Sequence, residues 1–289
     1  MYRYTNITFP SLGIDIDPIR EIAIGPVSIH MYGLVIAIGM ILAVSYCCRR
    51  SKQFGLTEDH ILDGVLWVTP FAIICARAYY CAFQWEHYAA NPISVLYIWN
   101  GGIAIYGGVL GAGAGMIVFC KVKRISLPAT LDLVSMGFLI GQSIGRWGNF
   151  FNREAFGAET DSFLRMGLYS PMTETTTYHH PTFLYESLWN ALGFFVLHKL
   201  SKKREYDGQI ALGYVVWYGL GRAFIEGLRT DSLYVPGTEL RVSQVLAAVS
   251  CLAAAAVLVY FIFKPRTGPM FVHRMAENTV TDEGGNEDA

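Results

Sequence analysis

Long apolar runs separated by short polar stretches dominate this chain. Three of them, 27–48, 101–120 and 242–263, contain no Asp, Glu, Lys or Arg. Each is long enough to cross the roughly 30 Å hydrocarbon core of a bilayer as a helix. Four more runs, 61–84, 128–145, 182–200 and 209–226, carry a few charged groups, among them Asp63, Arg77, Asp132, Glu186, Lys199 and Arg222. Such groups belong against a bundle interior or an interface, since lipid offers them no partner. The pattern predicts an all-α, polytopic membrane protein with seven transmembrane helices.

Composition sharpens this picture. Of 289 residues, 53% are hydrophobic and 16% charged, against about 25% charged in a soluble domain, and the mean hydropathy is +0.35. The net charge of −1 hides a sorted layout. Seven arginines, including Arg146, Arg153, Arg229 and Arg241, fall in one set of alternate loops, whereas all seven lysines and six further arginines fall in the other. The positive-inside rule makes the lysine side cytoplasmic, which puts the N-terminus outside and the C-terminus inside. With basic residues spent on topology, nucleic-acid binding is disfavoured. The six cysteines lie in or beside apolar runs without CxxC spacing, so neither a zinc site nor a disulfide framework is expected. The N-terminal 30 residues lack the order of a signal peptide, and the first span is expected to stay in the mature protein. The expected organisation is a membrane domain over 1–275, whose outer loops 146–181 and 227–241 form its working face, and a disordered acidic cytoplasmic tail over 276–289.

Nothing in membrane insertion requires arginines on the exterior, so the segments holding them are where chemistry is sought. In GRWGNFFNREAFG, residues 145–157, polar and aromatic residues alternate where a span leaves the bilayer. Arg146 and Asn149 share a helix face at i, i+3, and the planar donor fork of arginine suits a phosphodiester. The alternative is an interfacial anchor, with arginine snorkelling among belt aromatics. In YGLGRAFIEGLRTD, Tyr218, Arg222 and Glu226 recur at i+4 and line one helix face. They make either a functional stripe or an internal ion pair that renders the charges tolerable. His180, in HPTFLYE, is a helix cap or a base, with Tyr185 and Glu186 placed to orient partners. Gly107, Gly111 and Gly115 recur every fourth residue, which suits close helix packing. Tyr106 and Tyr32 near the outer ends of their spans either project into a cavity or belong to the aromatic belt.

Together these motifs, with GGIAIYGGVLG and HMYG in order, resemble the bacterial phosphatidylglycerol–prolipoprotein diacylglyceryl transferase family over nearly the whole chain. The resemblance implies transfer of the diacylglyceryl group of phosphatidylglycerol to the thiol of a prolipoprotein's lipobox cysteine. A thioether forms and glycerol phosphate leaves, in the bacterial cytoplasmic (inner) membrane. It implies functional roles for Arg146, Asn149, Glu154, Gly157, Arg222, Glu226, Tyr32 and Tyr218; with the residue reading added, Arg146, Arg222, Tyr106 and Glu154 are the expected catalytic set, and Arg146, Asn149, Tyr32, Tyr218, Gly157, Glu226 and His180 the expected phosphatidylglycerol contacts. No metal or cofactor is expected, because the lipid is already activated by its phosphate. Where the best-studied enterobacterial type has a histidine in the third span, this chain has Tyr106, and Phe183 stands where many members have Gln. Fixed guanidinium groups would stabilise the charge developing on a phosphate leaving group. A thiol with an ordinary pKa of about 8.5 must lose its proton to attack carbon, and Glu154, Tyr106 and His180 are the candidate acceptors. A lipid or small-solute transporter, with the arginines binding a headgroup without chemistry, is the rival; such proteins often show paired inverted repeats, which this sequence lacks. A scaffold without a catalytic site is the third reading.

Overall fold

A computed structural model describes residues 4–25, 27–89, 91–230, 237–238, 241–266 and 268–276. Nearly all of the expected acidic tail therefore lies outside the described residues. The chain is mainly helical, and a helix stands at each of the seven expected apolar runs. These are α1 (Met31–Arg50), α2 (Glu58–Phe83), then after the short α3 (Trp85–Ala89) come α4 (Ile105–Val122), α5 (Leu127–Asn152), α6 (Thr182–Ser201), α7 (Gln209–Ile225) and α8 (Val242–Phe263). Five of them, α1, α2, α4, α5 and α8, are long and apolar enough to cross a membrane. The polypeptide is thus a multi-pass membrane protein.

Two boundaries differ from the sequence reading. The span expected to end at residue 145 continues as helix to Asn152, so Arg146 and Asn149 sit on the last turns of α5 rather than in a loop. Polar residues there face protein groups instead of ending the helix. Helix α7 ends at Ile225, and Glu226 opens a 3₁₀ turn, Glu226–Leu228. The all-α expectation holds for the helical framework, and six short strands among the described residues add to it. Strands β1 (Ile7–Phe9), β2 (Ile14–Ile16), β5 (Met166–Ser170) and β6 (Thr175–His179) form an antiparallel sheet in the order β2-β1-β5-β6, and β3 (Glu21–Ile24) pairs with β4 (Val27–His30). Segments between spans still need partners for their backbone N–H and C=O groups, and these short β-branched stretches find them in one another.

The residues group into two units, Met1–Tyr46 with Val134–Gly268, and Cys47–Leu133 with Pro269–Ala289. In the second, α2 starts from a reciprocal cap in which Thr57 Oγ1 accepts from the His60 N–H and His60 Nδ1 accepts from the Thr57 N–H, both at 3.2 Å. Glu58 and Asp59 in its first turn complement the helix dipole. Helix α4 lays its glycine face on α2. A methyl group at Gly107 would stand 2.7 Å from the Cys75 carbonyl oxygen and 3.0 Å from Ala76 Cα, and at Gly111 it would strike Cys75. The four-residue glycine repeat is therefore a packing face. Arg77, only 5% exposed, points into the segment that joins the two helices. Its guanidinium donates to the carbonyls of Ser94, Val95, Gly101 and Gly102 at 2.6–2.8 Å and of Tyr97 at 3.4 Å.

In the first unit, alternation along β1 buries Ile7 and Phe9 against Phe150, Met166, Leu168 and Phe183, so Phe183 is a core residue. Helices α6 and α7 are clasped by Trp189 and Trp217. Their rings stack at 4.6 Å, and each indole N–H donates to the other's carbonyl at 3.0 Å. Gly193 and Gly221 leave room for the two rings.

Replacing Arg77 with Met takes the guanidinium donor from five carbonyls at once. A loss of about 3 kcal/mol is expected. It should appear as earlier thermal unfolding in detergent, with protease cutting newly concentrated between residues 91 and 104; Arg77→Lys should recover only part of the loss, because one ammonium cannot span the carbonyls.

Candidate active site

All but one of the residues singled out from the sequence lie in the first unit. At its centre is Glu186, early in α6, with a side chain 7% exposed. Its Oε2 pairs closely with Arg146 of α5, while its Oε1 lies 3.7 Å from Arg222 Nη1 of α7 and 3.3 Å from Arg229 Nη1 beyond it. Arg222 also pairs through Nη2 with Glu226 Oε2 at 2.7 Å. Glu226, 2% exposed, accepts from Ser243 Oγ at 2.6 Å, and its main-chain carbonyl accepts from Arg241. Three guanidinium groups thus share two carboxylates among the described residues, and a fourth, that of Arg241, holds the Glu226 main chain. Removing ions from water costs several kcal/mol each, so such a network contributes little net stability. Guanidinium forks gathered on one carboxylate in this way are suited to holding an anion.

A second group forms where α5 ends. Arg153 and Ala155 both have φ of +54°, a left-handed conformation that side chains adopt only when their surroundings enforce it. The enforcement is visible at Arg153, 5% exposed. Its guanidinium donates to Thr5 O at 2.6 Å, Phe151 O at 2.9 Å and Pro18 O at 2.7 Å, and pairs with Asp17. This ties the turn to the N-terminal segment beside β1. The turn presents Glu154, whose Oε1 accepts from Asn149 Nδ2 at 3.1 Å and Asn152 Nδ2 at 3.3 Å. Neither Arg146 nor Arg153 holds Glu154. The carboxylate is exposed and lines a cavity of about 320 Å³ together with Tyr4, Arg20, Asn152 and Thr230.

Gly157 closes the turn. Its N–H donates to His180 O at 2.9 Å, and the next N–H donates to Leu228 O at 2.7 Å, so three distant segments meet there. A Cβ at 157 would stand 2.7 Å from His180 Cβ and 2.9 Å from the Leu228 oxygen, which accounts for glycine by close approach. The His180 ring faces Tyr185, with Nδ1 3.4 Å from the phenol oxygen. The Tyr32 ring covers Gly148, where a Cβ would come within 2.7 Å of it. Tyr218 stacks on Tyr214 at 5.8 Å. Tyr106 belongs to the second unit, in the first turn of α4 and 38% exposed, with no hydrogen-bond partner among the described residues.

The structure therefore joins Arg146, Arg222 and Glu226 in one network, and Asn149 with Glu154 in another. Two members of the first network were not among the expected site residues: Glu186, considered only for orienting partners, and Arg229, noted only as an exterior arginine. Their signal was the lone carboxylate at the start of the fifth run and the surplus of arginines opposite the lysines.

The family described as prolipoprotein diacylglyceryl transferase matches residues 20–260. The phosphatidylglycerol–prolipoprotein diacylglyceryl transferase of Bacillus licheniformis is 44% identical over 259 residues, covering 87% of this chain and 96% of that protein. Those of Enterococcus faecalis and Listeria monocytogenes are 44% and 41% identical, over 81% and 86% of this chain and 86% and 92% of their own lengths. By this match along most of its length, the chain belongs to the prolipoprotein diacylglyceryl transferase family.

Proposed function

We propose that this protein moves the diacylglyceryl group of phosphatidylglycerol onto the lipobox cysteine thiol of prolipoproteins, the first step of lipoprotein maturation. The observation that carries the reading is the cluster of half-buried Arg146, Arg222 and Arg229 on the buried Glu186, in a chain of this family. The thiolate sulfur attacks the glyceryl carbon that bears the phosphate. The carbon–oxygen bond breaks with its electron pair going to oxygen, and glycerol phosphate departs. Guanidinium groups held in a site of low dielectric favour that developing charge more than the diester's, so they act on the transition state. Arg146 and Arg222 take this part, with Asn149, Tyr32, Tyr218, Gly157, Glu226 and His180 framing the headgroup.

Glu154 takes the thiol proton in this scheme, as an exposed carboxylate beside a cavity into which a cysteine side chain fits. Its two amide donors keep it oriented. Tyr106 is retained as a second proton carrier because of its place in the glycine-rich motif. The protein works in the cytoplasmic (inner) membrane with seven spans over 1–275. Residues 146–181, the first of which close α5, and 227–241 face outward with the N-terminus, and the tail from 276 lies inside. The sorting of lysines supports this orientation.

Purified protein should convert phosphatidylglycerol and a lipobox peptide into a thioether product without added metal. Headgroup binding with no product at any peptide concentration would instead favour a transporter. Arg146→Ala and Arg222→Ala should each lower turnover by at least about a hundredfold. Arg146→Lys should stay poor, since one ammonium cannot replace a planar fork. Near-normal turnover in either alanine variant removes that residue from the scheme.

For Tyr106, the comparison is between Phe and His. The proposed proton role predicts a large loss in Tyr106→Phe and substantial activity in Tyr106→His, with the pH optimum moved toward the lower pKa of imidazole. A full rate in the Phe variant assigns the proton elsewhere.

A further inference from the structure

Glu186 has no part in the scheme above, yet it is the group on which the arginines meet. The two carboxylates of the network are held differently. Glu226 is fixed from behind, by Ser243 on one carboxylate oxygen and by Arg241 on its main-chain carbonyl. Among the described residues, every polar partner of the Glu186 side chain is a guanidinium of the cluster. Arg146, in turn, has no other charged partner among them. One Glu186 oxygen serves Arg146 and the other serves Arg222 and Arg229. That is the demand a phosphodiester makes with its two non-bridging oxygens: one negative charge spread over two acceptors facing guanidinium forks.

Two anions cannot both hold the same donors at full strength. Before lipid binds, the half-buried arginines need a counter-charge to stay gathered and in position, and Glu186 supplies it. When the phosphodiester engages them, Glu186 must yield some of those hydrogen bonds. After transfer the leaving phosphate monoester carries about −1.5 to −2 charges, and the cluster would hold it more tightly than the diester. A carboxylate already seated among the same guanidinium groups opposes that retention.

We propose that Glu186 is a built-in stand-in for the substrate phosphate, a positioning residue that keeps Arg146, Arg222 and Arg229 assembled and competes with glycerol phosphate so that product leaves. This rests on the reading of the arginine cluster as the phosphate site. The test measures glycerol phosphate binding by titration calorimetry in detergent, alongside steady-state turnover, for the wild type, Glu186→Gln and Glu186→Asp. Loss of the competing charge should tighten glycerol phosphate binding about tenfold in Glu186→Gln. The KM for phosphatidylglycerol should fall together with kcat, because release becomes limiting. Glu186→Asp, which keeps the charge one methylene further back, should move binding in the same direction by a smaller factor, and it carries the test alone if the Gln variant does not fold. Unchanged or weaker glycerol phosphate binding in the variants overturns the stand-in role and leaves Glu186 as a brace. If the wild type itself neither binds glycerol phosphate nor transfers lipid, the phosphate-site reading fails first. Active wild type with Arg146→Ala dead and Glu186→Gln binding unchanged defeats only the stand-in.

Discussion

A guanidinium withdrawn from water must be met by oxygen, and each arginine in the interior of this protein is placed by the oxygens that meet it. Arg146, Arg222 and Arg229 all meet oxygens of Glu186, and Arg222 also meets Glu226. The contributing residues come from α5, α6, α7 and the chain beyond α7. The ion network therefore needs these elements at fixed separations, and the separations need a core that does not give. The clasp of Trp189 and Trp217 sets α6 against α7, with glycines where the indoles lie. The aromatic contact of Phe150 with Phe183 at 5.1 Å sets α5 against α6. Ion pairs of this kind contribute little to net stability; the apolar contacts hold the helices, and the charges use the geometry they provide.

The turn after α5 depends on the same condition in another form. Two residues with positive φ in succession around Glu154 would relax if the chain were unbraced, and the Arg153 guanidinium braces it against the backbone of residues near β1. That is a task for the N-terminal segment, whose strands pair with β5 through Ile7 opposite Leu168. The result is a carboxylate that is exposed yet oriented, beside a cavity wide enough for a side chain to approach. Gly157 completes the arrangement because nothing larger fits between His180 and the Leu228 carbonyl.

Much of the helical framework was legible in the sequence, because a run without charges that is long enough to span a bilayer has few other uses. The glycine repeat at 107, 111 and 115 was legible as packing for the same reason: its period matches a helix face. The pair of Arg222 with Glu226 followed from i+4 spacing. Less legible was anything that depends on residues far apart in the chain. Glu186 stands 40 positions after Arg146 and 43 before Arg229, and no local period connects them. The six strands were missed because three to five residues of alternation are too short to stand out beside apolar runs. The end of α5 was placed at Gly145 because polarity rises there, whereas the helix continues while its polar side chains find protein partners. Tyr106 was legible only through the motif around it, and its structural surroundings assign it no partner.

Among the buried and half-buried arginines two kinds stand out, and the difference separates scaffold from chemistry. Arg77 donates to five main-chain carbonyls, and Arg153 to three together with Asp17. Carbonyl oxygens are fixed by the backbone, so an incoming anion cannot replace them without unmaking the local fold. Such arginines are structural by construction. Arg146, Arg222 and Arg229 are met by carboxylates, whose charge and paired oxygens are of the kind a phosphate also offers. An arginine satisfied by a carboxylate on a side chain can trade one anion for another at modest cost, since the number of charge-assisted hydrogen bonds is kept. These arginines thus divide by their acceptors: Arg77 and Arg153, on backbone carbonyls, hold the fold in shape, whereas Arg146, Arg222 and Arg229 meet on Glu186, a partner that another anion can replace.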